Sequence, residues 1–179
     1  MNYYIELTLM DSPDFSFYEL WSKVYTQLHI AFAEQADEQG KIVYGISFPK
    51  YRLIQQKKLG YLGDKIRIFA DSVETLEQLN LNHWLERLQD YVHVLSVREV
   101  PEDKINGYAT YFKANPKLTI EQRILHQAKR RGISIEEAKE HFKALELTET
   151  FEPSINMKSQ TNDMNFRLII GKKRVDEAC

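Results

Sequence analysis

Between Tyr3 and Met10 apolar and polar positions alternate. Ile5, Leu7 and Leu9 stand against Glu6 and Thr8, which is the period of a half-buried strand. Ser16 with Glu19 three residues on forms a capping box, and Leu20, Val24, Leu28 and Ala31 behind it fall on one helical stripe. "KIVYGISFP" reads as a strand closed by Pro49, and "KIRIFA" (residues 65–70) as another after the turn "GYLGD". Asp71 with Glu74 predicts a cap for a helix carrying Val73, Leu76 and Leu79, and "HWLERLQDY" continues helical character. "VHVLSVREV" then predicts a fourth strand, ended by Pro101.

Strand, helix, strand, strand, helix, strand is the split βαβ, ferredoxin-like order: an antiparallel sheet with two helices on one face. Each strand alternates and each helix has one apolar stripe, so two layers bury every apolar face. The expected fold class is α+β, with a ferredoxin-like (RRM-like) domain over residues 1–100. A smaller α/β domain with a basic helix at about residues 119–131 is expected over 101–179. The fold hosts both RNA binders and enzymes and fixes no function by itself.

The second half opens with an irregular stretch and a short extended piece, "YATYF". Thr119 with Gln122 then opens a helix that runs to Arg131 and ends at Gly132. Its polar surface carries Arg123, His126, Gln127, Lys129, Arg130 and Arg131; Ile120, Ile124 and Leu125 are expected on the packed side. Ser134 with Glu137 caps a second, mixed helix. Near the end, "KSQTNDMNFRLIIG" (residues 158–171) joins a run of hydroxyls and amides to a strand in which Phe166, Leu168 and Ile170 share one face. A polar turn before a strand is one reading; a loop that binds something polar is the other.

Charge changes this picture. The chain has 179 residues, 43% hydrophobic and 28% charged, with a net charge of −2, the profile of an ordered soluble protein. Yet from Lys104 to Arg131 there are seven basic residues (Lys104, Lys113, Lys117, Arg123, Lys129, Arg130 and Arg131) against one acid, Glu121. The helix face there lacks the acids that make i,i+4 pairs on an ordinary surface helix. A phosphate-binding face and a solvated face both fit such a block. The single cysteine, Cys179, leaves no disulfide framework and no thiolate metal site, and no apolar run is long enough to span a bilayer. A cytoplasmic protein without cofactor or metal is expected.

His29 lies at the edge of the first helix's apolar stripe, beyond Trp21 and Tyr25. A boundary histidine can simply complete packing, or can present a nitrogen to a cleft. Only position separates it from His83, His93, His126 and His141.

Several pieces together resemble one family: "LHIAF", "GISFP", "LGDKIRIFA", "WLERLQDYV", the basic helix followed by "SIEEAK", and "SQTNDMNFRL". In order and spacing they are similar to the CRISPR repeat-processing endoribonucleases of the type I-F (Csy) class. The resemblance implies a protein that grips the hairpin of each CRISPR repeat and cuts the precursor RNA 3′ of the stem without a metal. The 2′-hydroxyl attacks the phosphate, leaving a 2′,3′-cyclic phosphate, and the protein stays bound as the crRNA 3′-end cap of the surveillance complex, its main protein partner being the backbone subunit. By the same resemblance the catalytic histidine falls on His29, the hydroxyl that positions the nucleophile on Ser159, and a second hydroxyl on Thr161. The base-stacking aromatic falls on Phe166, followed by Arg167. The groove-binding helix falls on Gln122, Arg123, His126, Lys129, Arg130 and Arg131. Where the family places an arginine and a glutamine that read base edges, this chain offers Tyr111 and Lys113. It also reaches Cys179 without the family's Tyr-Gly-Leu-Ser element. Two further readings stand beside this one: a hairpin-capping subunit with weak or no cleavage, as in a transposon-associated system, and a ferredoxin-like small-molecule sensor or enzyme.

Overall fold

A computed structural model describes residues 1–114, 120–142, 151–159 and 163–176; of residues 120–122 it describes the backbone only. The first strand, β1 (Tyr3–Leu9), is followed by α1 (Phe17–Glu34), β2 (Gly45–Ser47), the hairpin β3 (Arg52–Ile54) and β4 (Leu59–Tyr61), and β5 (Lys65–Ala70). Then come α2 (Val73–Gln78), α3 (Leu81–Trp84), β6 (Val92–Val94), β7 (Arg98–Glu99) and β8 (Tyr108–Ala114). The chain continues with α4 (Ile120–Arg131), α5 (Ile135–Phe142), β9 (Ser154–Lys158) and β10 (Asn165–Val175).

The main sheet has the order β2-β5-β1-β6, with every neighbouring pair antiparallel. Leaving out the β3–β4 hairpin, this is βαββαβ connectivity with the first and third strands central, so the fold is the expected ferredoxin-like α+β arrangement. Register follows burial. Ile5 opposite Ile68 and Leu7 opposite Ile66 face the helices, while Glu6 opposite Arg67 and Thr8 opposite Lys65 face the other way. α1 brings Leu20, Trp21, Val24, Leu28, Ala31 and Phe32 onto the sheet, and starts at the expected capping box of Ser16 and Glu19. The Trp21 indole N–H donates to the carbonyl of Gly63 at 2.9 Å. Gly63 has φ +81° in the turn before β5, and a Cβ there would meet the Lys50 side chain at 2.3 Å, so the turn requires glycine.

Local expectations shift in four places. The helix after β5 is capped by Ser72, whose hydroxyl accepts from the Thr75 N–H, and not by Asp71. The second strand is confined to Gly45–Ser47. The fourth strand splits into β6 and β7, which both pair with β1; between them the Leu95 N–H donates to the Glu6 carbonyl. Periodicity also passed over the β3–β4 hairpin and β9.

The domain boundary moves as well. The chain divides into one unit formed by Met1–Ala114 with the chain from Glu152 on, and a second formed by the segment between them. The sequence pattern places the break at residue 100. The reason is burial: Ile155, Met157 and Ile170 belong to the same apolar cluster as α1 and the main sheet, so the small sheet β8-β10-β9 is part of the first unit. The second unit is a helical hairpin. Ile124, Ala128 and Ala138 are buried in it with Ile133 and Phe142 against them. α4 ends at Gly132 (φ +65°), where the Ile133 N–H returns to the Ala128 carbonyl at 3.2 Å, and α5 starts at the expected Ser134–Glu137 capping box. No helix among the described residues is long and apolar enough to cross a membrane.

Among the described residues of the first unit, the buried charged group is Glu6. Glu6 is 6% exposed and accepts from Lys65 and from Arg67 Nε, the latter at 2.8 Å. Burial pushes its carboxyl up, but the hydrogen bonds and charges of Lys65 and Arg67 outweigh this and hold it below the usual carboxylate range. A depressed folded pKa contributes stability above the ordinary carboxyl range, and that contribution is lost as pH falls through the folded value. Glu6→Gln is therefore expected to lower stability at pH 7 by about 2 kcal/mol. In urea unfolding the gap to wild type should narrow as pH is taken from neutrality towards about 3. A gap that stays constant over that range would refute the electrostatic account.

Candidate functional site

Strand β9 alternates cleanly: Ile155 and Met157 are buried, Asn156 and Lys158 exposed. The buried pair faces α1, where Thr26 Oγ1 lies 3.8 Å from Met157 Sδ. Thr26 is held in turn by donating to the Ser22 carbonyl at 2.7 Å. Ser22, Thr26 and His29 follow one another at helical spacing on the flank of the core stripe, and His29 is exposed, one turn beyond Tyr25 and Thr26.

Past Lys158 the ladder takes one more step: the Ser159 N–H donates to the Met164 carbonyl at 2.9 Å, and the Asp163 N–H donates to the Ser159 carbonyl at 3.2 Å. Asp163 turns the chain at φ 60°, a conformation its short polar side chain tolerates, and its carboxylate meets Lys158 Nζ at 2.8 Å. Continued alternation sets half-buried Ser159 on the side of Ile155 and Met157, the side turned to α1. Thr161 lies outside the described residues.

Along β10 burial grows from the loop inwards. Phe166, opposite Met157, is 39% exposed; Leu168 is half-buried; Ile170 is buried. Phe166 is thus an aromatic face at the mouth of the site, while Leu168 and Ile170 are core. Arg167 points to the other side of the strand, where its guanidinium donates to Ser154 Oγ at 2.8 Å. Beside this hairpin an open groove of about 1380 Å³ runs between α1, the α3 region and the edge of β9. Ser22, Lys23, Thr26 and Gln27 line it from α1, Trp84 and Arg87 from the α3 side, and Lys158, Phe166 and Arg167 from the hairpin. His29 is not among its lining residues.

Tyr111 has a packing role. Its hydroxyl donates to the Phe48 carbonyl at 2.9 Å, its ring meets Phe48 and Tyr51 edge-on, and Lys172 Nζ sits 5.5 Å from its centre. Lys113, two residues on, is exposed on β8 opposite Ile170.

On α4, His126, Lys129, Arg130 and Arg131 are exposed and Arg123 is half-buried; the Gln122 side chain lies outside the described residues. Among the described residues no carboxylate forms an ion pair with Lys129, Arg130 or Arg131. Two details differ from the sequence expectation. Leu125 is 54% exposed, on the basic side of the helix, and Gln127 is tied to His141 Nδ1 at 2.8 Å. Sequence reasoning also missed the seat of the loop. Its only signal was the alternation of Ile155 and Met157 in "PSINMK", too short to separate from coil.

The topology and the polar, basic groove define a ferredoxin-like protein with a surface suited to a polyanion. The chain belongs to the family of CRISPR-associated proteins called Cas_Csy4, whose model matches residues 4–179. It is 29% identical over 175 residues to the CRISPR-associated endonuclease Cas6/Csy4 of Escherichia coli (strain UTI89 / UPEC), covering 95% of this chain and 85% of the relative. It is 27% identical over 175 residues to the protein of the same name from Pseudomonas aeruginosa (strain UCBPP-PA14), with the same coverage. A solved structure, "An RAMP protein binding different RNA substrates", aligns over 96% of this chain at 10% identity and a TM-score of 0.30, too slight a likeness to inform the fold.

The seat of the loop can be tested alone. Met157→Ala removes a side chain 4% exposed between β9 and α1 and is expected to cost about 2–4 kcal/mol in urea or thermal unfolding. A loss below about 0.5 kcal/mol would mean that this contact does not hold the hairpin to the helix.

Proposed function

We propose that this chain is an endoribonuclease that binds the hairpin of a CRISPR repeat, cuts the precursor RNA just 3′ of the stem, and stays on the product as its 3′-end cap. The observation that carries the reading is the packing of Ile155 and Met157 against α1. That packing seats the strand leading into the Ser159 loop on the helix that bears His29, and it supports a shared role for the two. Membership of a family with endonuclease relatives supports the same reading.

The chemistry asks for these residue types. A 2′-hydroxyl near neutral pH is a poor nucleophile, and imidazole is the side chain suited to take its proton there. His29 takes that proton as the 2′-oxygen bonds to phosphorus. The bond from phosphorus to the 5′-oxygen breaks, that oxygen gains a proton, and the products are a 2′,3′-cyclic phosphate and a 5′-hydroxyl. Ser159, with Thr161, holds the ribose so that attack is in line, an orientation effect. Phe166 offers a stacking face to the base at the foot of the stem. Arg123, His126, Lys129, Arg130 and Arg131, with Gln122, Lys113 and Arg167, meet phosphates and groove edges. The reaction needs no metal, and the bound product docks the protein into the cytoplasmic type I-F surveillance complex against its backbone subunit.

Incubation with a repeat hairpin in EDTA should give a 2′,3′-cyclic phosphate product. Tight binding without a cut would leave the capping reading, and absence of both would remove every RNA reading. His29→Ala should slow cleavage by about 10²–10⁴-fold and leave hairpin affinity nearly unchanged; a parallel collapse of affinity would make His29 a structural residue. Lys129→Ala or Arg130→Ala should instead weaken binding and reduce the slope of log K against log salt by about 1.

A further inference from the structure

Of the residues that line the groove beside the β9–β10 hairpin, the hairpin-cutting chemistry uses Phe166 and Arg167 and leaves the rest without a role. Its composition is specific. Four cations, Lys23, Arg87, Lys158 and Arg167, line it against one carboxylate, Glu86, in a chain whose net charge is −2. Lys158 is paired with Asp163 at 2.8 Å and the Arg167 guanidinium is turned to Ser154 at 2.8 Å, so Lys23 and Arg87 are the cations that matter for the groove. Aromatic rings line the same groove. Lys23 Nζ stands 4.6 Å from the centre of the Phe15 ring, and Trp84 is half-buried with His83 edge-on to it at 5.6 Å. The groove exceeds the 300–1,000 Å³ of about one small-molecule site and is open, as a site for an extended polymer is. Cations and aromatic rings in one open groove suit single-stranded nucleic acid, whose bases are free to stack; in a duplex those faces are hidden.

Resting on the endoribonuclease reading, we propose that this groove binds the single-stranded RNA that continues 3′ of the scissile phosphate. Lys158 adjoins Ser159, so the groove begins where the cut strand leaves the reacting ribose. Phe166 forms the boundary between stem and groove. Lys23 and Arg87 hold phosphates of the departing strand, and Trp84 takes a base. The groove thus holds the substrate's downstream strand before cleavage and releases it afterwards, while the stem stays bound elsewhere.

The test uses the full chain and a repeat hairpin with a 2′-deoxy residue at the attacking nucleotide, so that nothing is cut. Affinity is measured at one salt concentration for the bare hairpin, for the hairpin with about six extra 3′ nucleotides, and for the hairpin with as many 5′ nucleotides. The 3′ extension should tighten binding by about tenfold. The double variant Lys23→Ala, Arg87→Ala should lose most of that gain with its affinity for the bare hairpin unchanged, which also shows that it folds. No gain from the 3′ extension, a gain that survives in the variant, or a gain from the 5′ extension alone would overturn the assignment and leave the endoribonuclease reading intact. Failure of the bare hairpin to bind would overturn that reading and this one with it.

Discussion

Everything at the site depends on one buried contact, Ile155 and Met157 of β9 against α1. Ile155 is 1% exposed and Met157 4%, and burial of two such side chains is worth roughly 1.5–3 kcal/mol each. The contact fixes more than stability. A loop of hydroxyls and amides has no apolar residue to place itself with, so its position is inherited from the strand that precedes it. Because side chains alternate along β9, seating Ile155 and Met157 on α1 also decides which way Ser159 faces. A one-residue slip in register would turn the serine away and expose both apolar groups, at a cost of several kcal/mol on the order of their combined burial.

The same economy runs through the rest of the first unit. β1 is central to the main sheet, and its outward side carries Glu6, whose carboxylate gathers Lys65 and Arg67 from β5. The pair of cross-strand contacts locks the register of the two central strands. That register places Ile5 and Leu7 under α1, and α1 in turn offers its flank to β9. The helical hairpin of the second unit has a much smaller core, and what distinguishes it is surface: exposed bases at the end of α4, with Leu125 among them.

Much of the fold was legible in the sequence where a physical signal was local and strong. The alternation of Ile5, Leu7 and Leu9, the Ser16–Glu19 and Ser134–Glu137 boxes, and the stop at Gly132 all appear in the structure. Signals failed where several residues competed or the element was short. Ser72 displaced its neighbour Asp71 as a cap, because either side chain could have accepted the orphan N–H groups. The fourth strand is split because regular pairing with β1 stops after Val94 and resumes at Arg98, with the Leu95 N–H still bonded to the Glu6 carbonyl between them. The boundary at residue 100 differs for another reason: no local pattern reveals that Ile155, Met157 and Ile170, late in the chain, complete a core begun with β1 and α1. Among the site residues, Phe166 and the α4 bases lie on the surface as the sequence suggested. Tyr111 is half-buried, its hydroxyl donating to the Phe48 carbonyl and its ring packed against the core.

The central claim is that the junction of α1 with the β9–β10 hairpin is where RNA reacts. The most direct measurement is photocrosslinking from a 4-thiouridine placed next to the scissile phosphate of an uncleavable hairpin, with the crosslinked peptides read by mass spectrometry. The account predicts crosslinks to peptides of α1 around residues 26–29 and of the hairpin around residues 158–166. Crosslinks confined to other surfaces, with none to either of these, would contradict it.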